Sequence, residues 1–228
     1  FLEHIPSAMQ DLDKLINEKN INGILVDIDG TLYDYEYAHF KSLKLCFKDF
    51  MNIKKDISFN DFNDEYRACR NIVTEIFRNQ GSARSRLLAF QILFEKYNVN
   101  NAYSHALDYE IRYWKYLIKN IKPNFRLIKF LIKSRSKNIK ICAVSDMQMR
   151  YQVKKLKKLD LENIIQYLVT SEECGFEKPE KLIYEHALKK ISTAPHKTVM
   201  IGDNISKDIE GAEAQGIHAY FEKFTYKK

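Results

Sequence analysis

Five short, mostly apolar runs punctuate the chain: ILVDI at 24–28, IKICAV at 139–144, IIQYLV at 164–169, TVMI at 198–201 and IHAYF at 217–221. From the second onward they alternate with segments of helical pattern at 124–137, 147–159, 180–191 and 205–215. A strand covered on both faces reads as a near-continuous apolar run, and parallel neighbours need a crossover of helical length between them. The alternation therefore predicts an α/β fold, a parallel sheet with helices on both faces.

Residues 35–120 break that rhythm. They read as four successive helices, at 36–51, 59–79, 84–97 and 102–120, separated by NIKKDIS, NQGSARS and NVNNA. Tyrosines and phenylalanines recur in them at helical spacing, the pattern of a helical core. The expected organisation is a Rossmann-like core from 1–34 and 121–228, interrupted by an all-helical domain at 35–120. The stretch SAMQDLDKLINEKN reads as a capped helix ahead of the first strand. The chain starts at Phe1, and we read it as a domain of a longer polypeptide whose other domains would be its partners.

Composition narrows the partners. The 228 residues bound the chain to one or two domains. With only 7 Gly and 4 Pro, long linkers are not expected. A net charge of +7 favours anionic ligands. The lysines, however, lie along helical stretches such as VKKLKKLD at 153–160, which reads as a solvated helix face, and no glycine-aromatic repeat accompanies them. No nucleic-acid partner is expected. Cys46, Cys69, Cys142 and Cys174 stand far apart without a CxxC pair, as free thiols in a reducing cytoplasm would. No apolar stretch of about 18 residues and no signal-peptide pattern occurs, so no membrane span is expected.

The first apolar run ends in Asp27 and Asp29, followed by Gly30 and Thr31. On a strand, residues i and i+2 share a side, so two carboxylates would crowd each other while partly desolvated. A proton or a cation must offset that repulsion. An EF-hand loop fails, because the glycine is misplaced, Thr31 replaces a carboxylate or amide, and the twelfth residue is Ala38. Asp29-Gly30 would also suit a hairpin turn. A third reading puts the pair at the carboxyl end of a parallel strand, where α/β folds bind ligands and Mg²⁺ could hold it together.

Three further stretches fall at or just after the ends of apolar runs. CAVSD ends one run with Ser145. GFEKPE places Lys178 before Pro179, ahead of a helix start. VMIGDNISKDIEGA ends another run with Gly202 and Asp203, and Asp208 follows five residues on. A P-loop is excluded, because GAEAQGIH at 211–218 lacks the required Lys and Ser or Thr.

In this ordered set, DxDGT, Ser145, Lys178 and GDxxxxD, the chain resembles the haloacid dehalogenase superfamily of aspartate-nucleophile hydrolases, over about 21–222. The helical insertion is similar to that family's type-1 cap. The resemblance implies that Asp27 attacks phosphorus to form an aspartyl phosphate, while Asp29 acts as acid and then base. It implies Mg²⁺ held by Asp27, the Asp29 carbonyl and Asp203, with Asp208 orienting a metal water or Lys178. Ser145 and Lys178 would bind the phosphoryl group. An acid at position 29 marks phosphatases within the family, whereas dehalogenases lack it. Asp146 departs from the Asn of many relatives and would repel the phosphate unless turned away.

In capped relatives the loop between the second and third cap helices faces the nucleophile. Here that loop is NQGSARSR at 79–86, which makes Arg84 and Arg86 candidate contacts to a second anionic group or hydroxyls. Tyr35, Tyr37 and His39 lie near the entry hinge at 32–35, and the exit hinge falls at 119–123. The expected activity is Mg²⁺-dependent hydrolysis of a small anionic phosphate ester, a sugar or polyol phosphate or a phosphorylated glycan intermediate. A pyrimidine 5′-nucleotidase or a phosphomutase would use the same residues.

Overall fold

The computed structural model describes residues 9–78 and 80–226. Helix α1 (Met9–Glu18) leads into β1 (Gly23–Val26), and four helices follow before the next strand: α2 (Tyr35–Phe50), α3 (Phe59–Ile76), α4 (Arg86–Lys96) and α5 (Ala102–Lys119). The chain then alternates through α6 (Phe125–Ser136), β2 (Lys140–Ser145), α7 (Met149–Lys158), β3 (Tyr167–Thr170), α8 (Ser171–Cys174), α9 (Lys181–Ile191), β4 (Thr198–Gly202), α10 (Gly211–Glu213) and β5 (His218–Phe221). Ser7, within the expected first helix, lies outside the described residues.

The five strands form one parallel sheet in the order β3-β2-β1-β4-β5. Both neighbours of β1 are parallel strands, so Asp29-Gly30 does not turn a hairpin. Val26 sits opposite Ala143 on one side and Ile201 on the other, which brings the carboxyl ends of β1, β2 and β4 to one level. Chain direction diverges to either side of β1, and such a switch point opens a crevice at those ends.

Alternation along the strands divides the core. Ile24, Val26, Ile141 and Ala143 face one cluster with Leu12 and Ile16 of α1 and Leu127 and Leu131 of α6. Leu25, Cys142, Val144 and Met200 face another with Ile183, Tyr184 and Ala187 of α9. The first cluster continues into the helical insert through Phe50, Phe62, Phe90, Phe94 and Tyr113, all fully buried. Most of the insert's aromatics at helical spacing thus form its core, while Phe40 and Tyr103 are exposed.

Side-chain caps set several helix starts. Asp34 accepts from the Tyr37 N–H at 2.9 Å at α2, and Asn124 accepts from the Leu127 N–H at 3.2 Å at α6. Asn124 also donates to the Thr31 carbonyl at 3.1 Å and to Glu222 at 2.8 Å. The two linkers of the insert run side by side: the Asp34 N–H donates to Lys122 O and the Asn124 N–H to Leu32 O.

Three elements differ from expectation. The third strand begins at Tyr167, because the N–H groups of Ile164 and Ile165 are taken by the Leu161 carbonyl in a turn. The helix expected over 205–215 opens with a π-helical segment, Ile205–Glu210, before α10. Short α8, capped by Thr170, was not apparent in the sequence. The four cysteines are free, and no described helix is long and apolar enough to cross a membrane.

Candidate active site

The parallel register delivers Asp27 to the crevice. Its N–H donates to Ile201 O of β4 at 2.8 Å, one residue beyond the end of β1. Its Oδ1 accepts from Lys178 Nζ at 2.6 Å, while among the described residues Oδ2 has only the Thr31 hydroxyl, at 3.5 Å. The same ammonium donates to Asp208 Oδ1 at 2.6 Å and to the Val144 carbonyl at 3.1 Å, which uses all three of its hydrogens. Lys178 is 3% exposed. Burial opposes its charge, but Asp208, Asp27 and Asp146 outweigh that, and its pKa lies well above the usual lysine value. Burial, opposed by Lys178 and reinforced by Asp208, carries the Asp27 carboxyl well above the ordinary range.

Carboxylate oxygens of Asp27, Asp203 and Asp208 lie within 4.8 Å of one another. One ammonium cannot neutralise three carboxylates, so the cluster suits a further cation. Burial and Asp208 raise the Asp203 pKa to about 6, which a hard cation beside it would reverse. An all-oxygen donor set is the chemistry Mg²⁺ requires. Both Asp208 oxygens are already engaged, Oδ1 by Lys178 and Oδ2 by the Asn204 N–H at 3.0 Å. Asp203 and Asp27 are therefore the better ligands. The approach of Asp203 depends on Gly30: with φ +93°, any Cβ there would lie 2.4 Å from Asp203 Oδ2.

Asp29 has a different environment. Lys155 Nζ donates to both its oxygens, at 2.6 and 2.9 Å, Gln152 donates to Oδ2 at 2.9 Å, and the Tyr33 hydroxyl donates to Oδ1. Burial disfavours the charge, but Lys155, Tyr33 and Gln152 together hold the carboxyl below its usual pKa. Gln152 also donates to the Ser145 hydroxyl, which ties the end of β2 to Asp29 through α7. Trp114 of α5 lies over the Lys155 ammonium, with 5.3 Å to the ring, and stacks on Tyr151 of α7 with centroids 3.9 Å apart. The helical insert thus touches the residues that hold Asp29.

A cavity of about 750 Å³ opens above these groups, with carboxylates and lysines on the sheet side and arginines on the insert side. Asp27, Asp29, Ser145, Lys178, Asp203 and Asp208 all line it, as do Arg84 and Arg86. Arg84 is occupied: it forms a two-point ion pair with Glu177, at 2.8 and 2.5 Å. Asp146 accepts from the Lys178 N–H at 2.8 Å and pairs with Lys207 at 2.7 Å, so its charge is offset. Tyr35 and His39 also line the cavity, whereas Tyr37 packs on the Tyr226 ring at 5.2 Å.

The family model of haloacid dehalogenase-like hydrolases matches residues 21–216. The chain belongs to the haloacid dehalogenase-like hydrolases. It is 30% identical to the glyceraldehyde 3-phosphate phosphatase of Methanothermobacter thermautotrophicus over 202 residues, 87% of this chain and 84% of that protein. It is 24% identical to the ribulose-1,5-bisphosphate 5-phosphatase of Halopiger xanaduensis over 194 residues, 85% and 81% of the two chains. Among solved structures, the magnesium-bound HAD-hydrolase YfnB of Bacillus subtilis superposes with a TM-score of 0.67 at 22% identity, over 88% of each chain.

Several residues that shape the site of this haloacid dehalogenase-like hydrolase escaped the sequence reading. The lysine run at 153–160 is not uniformly a solvated face: Lys154, Lys157 and Lys158 are exposed, but Lys155 is fully buried against Asp29. Helical phase held the signal, because Gln152, Lys155 and Leu159 share the stripe that Leu156 marks as buried. Arg67 and Arg70, on α3, also reach the cavity, and their i, i+3 spacing alone resembles any solvated arginine pair. Glu177 and Lys207 carried no pattern of their own.

Proposed function

We propose that this hydrolase is a Mg²⁺-dependent phosphomonoesterase that acts on a small phosphate ester of the sugar or polyol type through an aspartyl phosphate. The observation that carries the reading is Asp27: one oxygen is fixed by Lys178 and the other lies beside the cavity with only a weak hydroxyl contact. The free oxygen attacks phosphorus, forming the Asp27–phosphorus bond as the bond to the leaving alkoxide breaks. Water then attacks the aspartyl phosphate, releases phosphate and restores the carboxylate.

Lys178 and the Ser145 hydroxyl supply fixed positive charge and a donor toward the phosphoryl oxygens, where phosphoryl transfer gains most from a protein. Asp27, Asp203 and the Asp29 main-chain carbonyl would hold Mg²⁺, which when bound withdraws charge from the phosphoryl group. Asp208 positions Lys178. Asp29 must first leave its pair with Lys155 and take up a proton from solvent; it then gives that proton to the leaving oxygen and regains one from the attacking water. Residues 35–120 serve as the cap that shuts out water, and Trp114 couples its position to Lys155.

The test is phosphate release from an aryl phosphate and a panel of sugar, polyol and nucleotide monophosphates, with and without Mg²⁺, for the protein and for Asp27→Asn. Release that needs both the metal and Asp27 supports the reading. Isomerised product without free phosphate, or release unaffected by Asp27→Asn, overturns it.

A further inference from the structure

The insert side of the cavity carries positive charge that no described carboxylate answers. Arg86 is 5% exposed, and its Nη2 donates to the Tyr35 hydroxyl at 2.7 Å, but Nε and Nη1 have no hydrogen-bond partner among the described residues. It lies over the rings of Tyr113 and Trp114, at 5.4 and 5.7 Å, and cation–π contacts offset only part of the cost of burying an ion. Arg70 donates to the Ser85 carbonyl, a neutral acceptor, and Arg67 beside it makes no ion pair among the described residues. Of the insert residues lining the cavity, Glu36 is the one described carboxylate, and it pairs with none of them. The other cations of the cavity are committed: Arg84 and Lys207 to Glu177, Lys155 to Asp29, and Lys178 to Asp27 and Asp208.

The arginines act on one another and on their neighbours. Burial together with Arg86 lowers the Arg70 pKa to about 10, and burial with Arg86, Arg70 and Arg67 lowers that of His39 to about 3. His39 therefore stays neutral beside them, its Nδ1 2.7 Å from the Tyr113 hydroxyl, and adds no further positive charge. Three guanidiniums gathered on one wall without a counter-ion form a site for an anion, and their forked donors match the oxygens of a phosphate or carboxylate.

We propose that Arg67, Arg70 and Arg86 form a second anion subsite, and that the substrate carries a phosphate or carboxylate at the end remote from the scissile phosphate ester. This deepens the phosphomonoesterase reading and rests on it. The sheet side takes the phosphoryl group that is transferred, and the insert side grips the group that is kept. Gripping the distal anion from the insert also makes turnover depend on substrate length, because the two anionic ends must reach both walls of the cavity at once.

Matched substrates test this. Hydrolysis of ribulose 1,5-bisphosphate is compared with that of ribulose 5-phosphate, and of 6-phosphogluconate with sorbitol 6-phosphate. The expected result is a kcat/KM at least about tenfold higher for one or both doubly anionic members, the size of one charge-assisted contact. Which pair shows it tells phosphate from carboxylate. Arg70→Gln and Arg67→Gln, at a half-buried and an exposed position, should shrink that ratio at least about fivefold, mainly through KM. Titrating the same four compounds into Asp27→Asn, with and without Arg70→Gln, reads the subsite without turnover. Equal kcat/KM within both pairs, or equal losses on both members in Arg70→Gln, overturns the subsite. Failure of the hydrolase reading would show separately, as no phosphate from any compound including the aryl phosphate.

Discussion

The Arg84 guanidinium of the insert grips the Glu177 carboxylate of the sheet domain with two hydrogen bonds, Nε to Oε1 at 2.8 Å and Nη2 to Oε2 at 2.5 Å. Lys207 reaches the same carboxylate at 3.1 Å and Asp146 at 2.7 Å, and Asp146 in turn accepts from the Lys178 N–H. A chain of charges thus runs from the roof of the cavity to the backbone of the lysine that holds Asp27. Arg84 is a latch between the two parts rather than a free hand for substrate.

Breaking the latch should loosen closure. Arg84→Gln is expected to raise KM about threefold and cost about 1 kcal/mol of stability, and Glu177→Gln to do the same. The double variant should be no worse than either single one. Additive losses in a double-mutant cycle, read from urea unfolding and steady-state kinetics, would show that the two residues do not act through each other.

The Lys155–Asp29 pair should be costly to halve. Lys155 has no exposed surface, so Lys155→Met leaves a partly buried carboxylate without its cation and is expected to cost about 3 kcal/mol. Adding Asp29→Asn should recover most of that loss. Unfolding curves of the single and double variants decide it, and a double variant less stable than Lys155→Met would contradict the pairing.

Metal should stabilise the fold through Asp203. At a Mg²⁺ concentration about a hundredfold above its dissociation constant, linkage predicts about 2.7 kcal/mol of stabilisation. Chelation should remove that gain, Asp203→Asn should abolish it, and Gly30→Ala should weaken it by displacing the Asp203 carboxylate. Melting temperature against Mg²⁺ concentration is the measurement; an undiminished shift in Asp203→Asn would move the metal elsewhere.

His39 predicts a particular acid response. Its pKa is lowered in the fold to about 3 by burial and by Arg86, Arg70 and Arg67, against about 6.5 for the unfolded chain. The unfolded state therefore takes up a proton first as pH falls. The stability His39 contributes is intact above about pH 6.5 and drains away between there and about pH 3, at up to about 1.4 kcal/mol per pH unit. Chemical unfolding from pH 7.5 to 5 should show His39→Gln losing less stability over that window than the unchanged protein. Parallel curves would mean that His39 is not held neutral.

The strand-helix alternation, the helical interruption and the order of Asp27, Ser145, Lys178, Asp203 and Asp208 were all legible in the chain, because each is written locally. Period-two and period-3.6 burial patterns, a cap residue or a carboxylate at a strand end need only neighbours in sequence. The weaker readings were those in which a tertiary partner overrode the local signal. Ile164 and Ile165 have strand character, yet a turn carbonyl claims their N–H groups; residues 205–215 have helical pattern, yet open as a π-helical segment that carries Asp208 to Lys178.

Sequence by itself determined the architecture and the inventory of charged groups. Only the tertiary structure decided which charges meet. Lys155 is one of several similar lysines until α7 turns it against Asp29, and Arg84 and Arg86 are near neighbours until one finds Glu177 and the other finds no carboxylate. Electrostatic partners of buried groups are set by distance through space and by desolvation, and neither is a property of position along the chain.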